Sequence, residues 1–152
     1  MDWTKTQKNK NFCVYQLTYG QYKSTNTILL QIVSIAAGGA TGALLRFWMS
    51  TGVYALLGRA FPYGTLAVNV LGSFVMGLLY VFMLERMEVS PEWRAALLIG
   101  LLGAFTTFST FSIETMNLIE AGEVSKAGIN MLLSVSLCVL GCWLGMILGR
   151  QI

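Results

Sequence analysis

The stretch GLLGAFTTFSTFSIE, residues 100–114, decides how this chain is read. It opens as an apolar helix and then crowds three phenylalanines, three threonines and two serines into residues 105–112. Gly100 and Gly103 weaken a helix, while Thr106, Thr107, Ser109, Thr110 and Ser112 compete for its backbone hydrogen bonds. The segment predicts an interruption around residues 103–107. If helix resumes after it, Phe108 and Phe111 fall three apart and share a face.

Around this stretch lie apolar runs at residues 27–49, 63–84, 93–119 and 126–149, the third containing the quoted segment. Each has about 20 residues, enough at 1.5 Å per residue to cross ~30 Å of hydrocarbon. Of the 152 residues 55% are hydrophobic and only 11% charged, where a soluble domain carries about 25% charged residues. The expected fold class is an all-α integral membrane protein with four transmembrane helices, the third helix broken near its middle. Residues 27–152 form the four-helix membrane domain. Residues 1–26, with four lysines and one aspartate, read as a polar, disordered tail. A cleaved signal peptide is the competing reading of this start, but the apolar run continues past its small residues into LLRFWM. The connections are short, so function must lie inside the membrane.

Several chemistries are excluded by scarcity. The chain has no histidine, which removes the commonest metal ligand and the usual proton shuttle. A serine nucleophile would have no histidine base, and Cys13, Cys138 and Cys142 form no CxxC. Cys138 and Cys142 read as small packing residues. Neither an enzyme nor a nucleic-acid partner is expected.

Charge placement bears on topology. Apart from the tail, Arg86, Arg94 and Arg150 lie on the side of the termini and Arg46, Arg59 and Lys126 on the other. Such a balance permits insertion both ways and assembly as an antiparallel pair. Lys5, Lys8, Lys10 and Lys23 of the tail favour the N-terminus inside. Gly38 and Gly42, and Gly141, Gly145 and Gly149, have the spacing that lets helices approach closely. Four short spans enclose little space, which makes association with a second copy the expectation.

Polar residues within the spans are costly and usually functional. Asn69, mid-span, offers two donors and an acceptor; its structural alternative is a bond to a neighbouring helix backbone. Arg46, near the end of the first span, can instead snorkel to headgroups, and Glu114 can pair with an arginine. A broken membrane helix leaves free N–H and C=O groups that hold ions. Phenylalanine ring edges carry partial positive charge and can line a dry route for a small anion, with hydroxyls replacing lost hydration.

GGATGALLRF in the first span, GTLAVNVLGSFVMG in the second and GLLGAFTTFSTFSIE in the third together resemble the fluoride-channel family called Fluc or CrcB. The resemblance covers about residues 35–150. It implies a fluoride-selective passive channel of the bacterial inner membrane, an antiparallel, dual-topology homodimer with two pores that lets cytoplasmic fluoride leak out. It further implies that Phe108 and Phe111 form the aromatic box, that Asn69 donates to the permeating anion, and that Ser109, Thr110 and Ser112 follow the same polar motif. A sodium ion at the dimer centre would be held by backbone carbonyls of Gly103 and Thr106. Arg46 and Glu114 match the family's arginine and glutamate, in structural or vestibular roles. The fourth span is weakly patterned, leaving Ser134 and Ser136 as guesses for its pore-lining positions, and the lysine-bearing tail is longer than the family's usual start.

Two rival classes stand beside this reading. A small proton-coupled exporter of cationic compounds would depend on Glu114, although such exporters place their glutamate in the first span, where this chain has Arg46. A non-transporting scaffold would leave the polar third span without a purpose.

Overall fold

The structure, a computed structural model, describes residues 25–87 and 89–152. Cys13 and nearly all of the polar tail lie outside the described residues. Among the described residues four helices are long and apolar enough to cross a membrane: Thr27–Leu57, Tyr63–Glu85, Pro91–Glu120 and Val124–Gln151. Among the described residues there is no strand.

The first helix runs from Thr25 to Leu57, eight residues beyond the expected boundary at residue 49. Ser50, Thr51 and Gly52 look like a turn in sequence but stay helical. The Ser50 hydroxyl is satisfied within the helix, donating to the Phe47 carbonyl at 3.2 Å. Arg46 therefore sits inside the span instead of near its end. The helix stops at Gly58, whose φ of 77° suits only glycine without strain and whose N–H returns to the Tyr54 carbonyl at 3.0 Å. Gly122 ends the third span in the same conformation, with φ 78°. The third span starts with Pro91 in its first turn, where a missing N–H costs nothing. Two stretches, Val81–Arg86 in the second span and Ala95–Leu102 in the third, are wound as wider π-type turns.

The spans pack as two close pairs. The first lies against the first half of the third: a side chain on Gly38 or Gly42 would collide with the carbonyl of Ala96 or Leu101. Gly100 faces them, 2.7 Å from the Ile35 carbonyl when given a Cβ. The second lies against the fourth, with Gly77 at the Cys142 carbonyl and Gly145 at the Phe74 carbonyl. These glycines thus serve contacts within one chain. Met83, Leu98 and Leu102 bury themselves between the two pairs, with Val75, Met76 and Leu79 against them. Leu29, Val33, Trp48, Leu132, Val139 and Trp143 point outward, an apolar exterior suited to hydrocarbon.

Candidate functional site

Helical geometry in the third span stops at Phe105. Thr106 is extended at φ −77°, ψ 156° and Thr107 at φ −151°, ψ 116°, and helix resumes at Phe108. Two side chains hold this shape. Thr107 caps the new helix, its Oγ1 accepting from the Thr110 N–H at 3.2 Å. Asn69, reaching across from the second span, accepts from the Thr107 N–H at 2.8 Å and donates to the Thr107 carbonyl at 3.0 Å. The amide so replaces hydrogen bonds that a buried, extended backbone would otherwise lack.

The diversion frees acceptors. In a continuous helix the Thr107 N–H would bond the Gly103 carbonyl and the Thr110 N–H the Thr106 carbonyl. Here those donors serve the Asn69 amide and the Thr107 hydroxyl. Gly103 is exposed, and a Cβ there would make only ordinary van der Waals contact with the Leu98 carbonyl, at 3.8 Å. Carbonyl oxygens without their helical donors are acceptors of the kind that hard cations prefer.

Beside the interruption runs a groove of about 370 Å³ between the second, third and fourth spans. Asn69, Thr106, Thr107, Phe108, Phe111 and Ser134 all line it. The rings of Phe108 and Phe111 lie 5.3 Å apart between centroids, tilted by 46°. Phe108 is 77% exposed, so its ring is held out on the open side of the groove and not in the chain's own core. Cys138 and Cys142 are half-buried on the opposite wall. Ser136 does not line the groove, and Ser134 does.

The remaining residues singled out in the sequence divide between places. Thr110 lines a second pocket of about 220 Å³ together with Arg46, Glu114, Tyr54, Thr65 and Thr107, and it accepts from the Thr107 hydroxyl at 2.9 Å. Ser109 is exposed, 3.4 Å from the same hydroxyl. Ser112 turns its hydroxyl back onto the Phe108 carbonyl at 2.9 Å and lines none of these cavities. Glu114 is bonded through Oε1 to the Tyr54 hydroxyl at 2.8 Å, not to an arginine.

Sequence reasoning passed over four residues. Thr107 was one hydroxyl among five, yet it is the buried hub of the interruption. Tyr54 lies in a stretch that reads as a connection. Thr115 and Asn130 form a buried polar contact between the third and fourth spans, Asn130 Nδ2 donating to Thr115 Oγ1 at 2.9 Å. Asn130 carried the same signal as Asn69, an amide inside an apolar run.

The chain matches the family described as CrcB-like protein, Camphor Resistance (CrcB), over residues 33–146. It is 55% identical over 123 residues to a protein of Methylococcus capsulatus named fluoride-specific ion channel FluC, a match covering 81% of this chain and 54% of that relative. The chain thus spans about half the length of that relative. It is equally similar, at 55% over 123 residues, to a protein of the same name from Magnetococcus marinus, covering 81% of this chain and 100% of the relative. A Coxiella burnetii protein, again so named, is 50% identical over 124 residues, covering 81% of this chain and 100% of its own length. With a match spanning most of its length and relatives at this identity, the chain belongs to the CrcB-like family.

Proposed function

We propose that this protein is a fluoride-selective passive channel that releases fluoride down its electrochemical gradient, in a bacterial inner membrane, as an antiparallel homodimer of dual topology. The observation that carries this reading is the interrupted third span, pinned by Asn69 beside a groove where Phe108 and Phe111 present their rings. The FluC name borne by relatives at 50–55% identity supports the choice of ion.

Fluoride is small and strongly hydrated, and losing its water costs tens of kcal/mol by Born-type estimates. Passage requires donors spaced closely enough to hand it on, and binding weak enough for release. The second N–H of the Asn69 amide, ring edges of Phe108 and Phe111 and the hydroxyls of Ser109 and Thr110 supply such donors; Ser112, whose hydroxyl is turned onto the Phe108 carbonyl, would have to rotate to join them. The exposed ring of Phe108 faces space that a second copy would close. A sodium ion held at Gly103 and Thr106 of both copies would neutralise the freed carbonyl dipoles and lock the two interruptions together. The exporter reading has no comparable support, since the relatives carry a channel's name.

The test is efflux from liposomes loaded with fluoride or chloride, followed by ion-selective electrodes. Rapid fluoride release that requires an ionophore for the balancing cation, with chloride retained, is the expected result. Fluoride retention by vesicles containing folded protein would overturn the reading.

A further inference from the structure

Beyond the groove lie two polar pockets, among whose lining residues Tyr54 and Arg59 have no role in the channel reading. The outer, about 250 Å³, opens where the first span meets the second and is lined by Arg59, Phe61 and Asn117. The inner, about 220 Å³, contains Arg46 and reaches Thr107 and Thr110 at the interruption. Tyr54 and Glu114 belong to the walls of both, and Thr107 belongs to the walls of both the inner pocket and the groove. The three spaces therefore adjoin in order: Arg59, then Arg46, then the phenylalanines.

A carboxylate in that series is an obstacle to an anion, and its position is held by one residue. The Tyr54 hydroxyl donates to Glu114 Oε1 at 2.8 Å and lies 3.4 Å from the Thr65 hydroxyl. Glu114 Oε2 is buried with no hydrogen-bond partner among the described residues, so Tyr54 supplies the bond that ties the carboxylate to the wall. The same Tyr54 ring carries the Arg59 guanidinium, whose central carbon is 5.6 Å from the ring centroid. One tyrosine thus places a cation in the outer pocket and an anion at the partition.

Within the vestibule that the resemblance implies for Arg46 and Glu114, we infer that Arg59 is an outer station for the anion, and that Tyr54 is the positioning residue that keeps the Glu114 carboxylate off the path and away from both arginines. The inference rests on the channel reading and adds two residues to it. Released from Tyr54, the carboxylate is free to turn toward Arg46 or Arg59 and cancel the charge that draws the anion in.

The test measures initial fluoride efflux from liposomes for the wild type, Tyr54→Phe, Glu114→Gln and the double variant, each normalised to folded protein. Tyr54→Phe is expected to slow efflux about tenfold in the wild-type background and to change it less than twofold when Glu114 is already glutamine. A general structural role for the hydroxyl would slow both backgrounds alike, and that result overturns the inference, as does an unaltered Tyr54→Phe. Arg59→Gln, at an exposed position, provides an arm independent of Glu114. Its efflux should fall severalfold at low ionic strength and recover toward wild type at about 0.5 M salt, where charge steering is screened; no deficit at low salt also overturns the inference. Wild-type vesicles that release no fluoride at all overturn the channel reading itself, and the roles of Tyr54 and Arg59 with it.

Discussion

Asn69 and Thr107, 38 positions apart, are joined by two hydrogen bonds that run in opposite directions, one to each side of a single peptide backbone. The side-chain amide of one span thereby stands in for the missing helical partner of another. Asn69→Asp keeps the acceptor for the Thr107 N–H but sets a carboxylate oxygen against the Thr107 carbonyl. Fluoride efflux is expected to fall at least tenfold, measured in liposomes. Asn69→Ala should in addition lower stability by about 1–3 kcal/mol, because it strands both backbone groups, read from the thermal midpoint in detergent.

Phe108→Ile and Phe111→Ile should each reduce fluoride efflux by an order of magnitude or more while leaving the folded yield near wild type. The ring of Phe108 is largely exposed in the single chain, so its loss removes little of the chain's own packing. Undiminished flux in both variants would remove the ring pair from the ion's route.

Gly77→Ala pushes a methyl group into the Cys142 carbonyl. Backbone cannot step aside as a flexible side chain can, and the second and fourth spans must part. A loss of about 1–3 kcal/mol is expected, seen as a lower thermal midpoint. Gly128→Ala is the control: nothing lies within 4 Å of its Cβ, and the substitution should be neutral or stabilising by up to ~1 kcal/mol.

Arg150 grips Glu85 with two nitrogens, at 3.1 and 3.2 Å, tying the end of the fourth span to that of the second. Both side chains remain well exposed, at 48% and 39%, where water screens such pairs. Arg150→Ala should therefore cost no more than about 1 kcal/mol, well short of the Gly77 variant in the same melting assay.

Exchanging sodium for N-methylglucamine throughout purification is expected to weaken the proposed dimer, because the freed carbonyls of Gly103 and Thr106 would then face one another without a counter-charge. Sedimentation in detergent reads the result; an equally stable dimer in the two buffers would remove sodium from the account.

The number of spans was readable from the sequence because about 20 apolar residues in a row have few other uses. The end of the first span was not: Ser50 and Gly52 have the composition of a turn, yet the helix runs on through them to Leu57 with the Ser50 hydroxyl bonded back to Phe47. Tyr54 was missed for this reason, being placed one turn of helix beyond the expected stop. The glycine spacings announced close contacts but not their partners, since a small residue fits any helix that comes near. Asn69 was readable as a polar intruder, and its attachment to Thr107 was not, because the bond depends on the register between two spans.

The contacts made at Gly38, Gly42, Gly77 and Gly145 bring backbone against backbone, with no side chain between to change rotamer. A scaffold joined in this manner has little means of breathing. The walls of the groove are mounted on it, so their spacing should vary by only a fraction of an ångström. A groove that tells halides apart partly by size would gain from such stiffness, alongside the donors that line it.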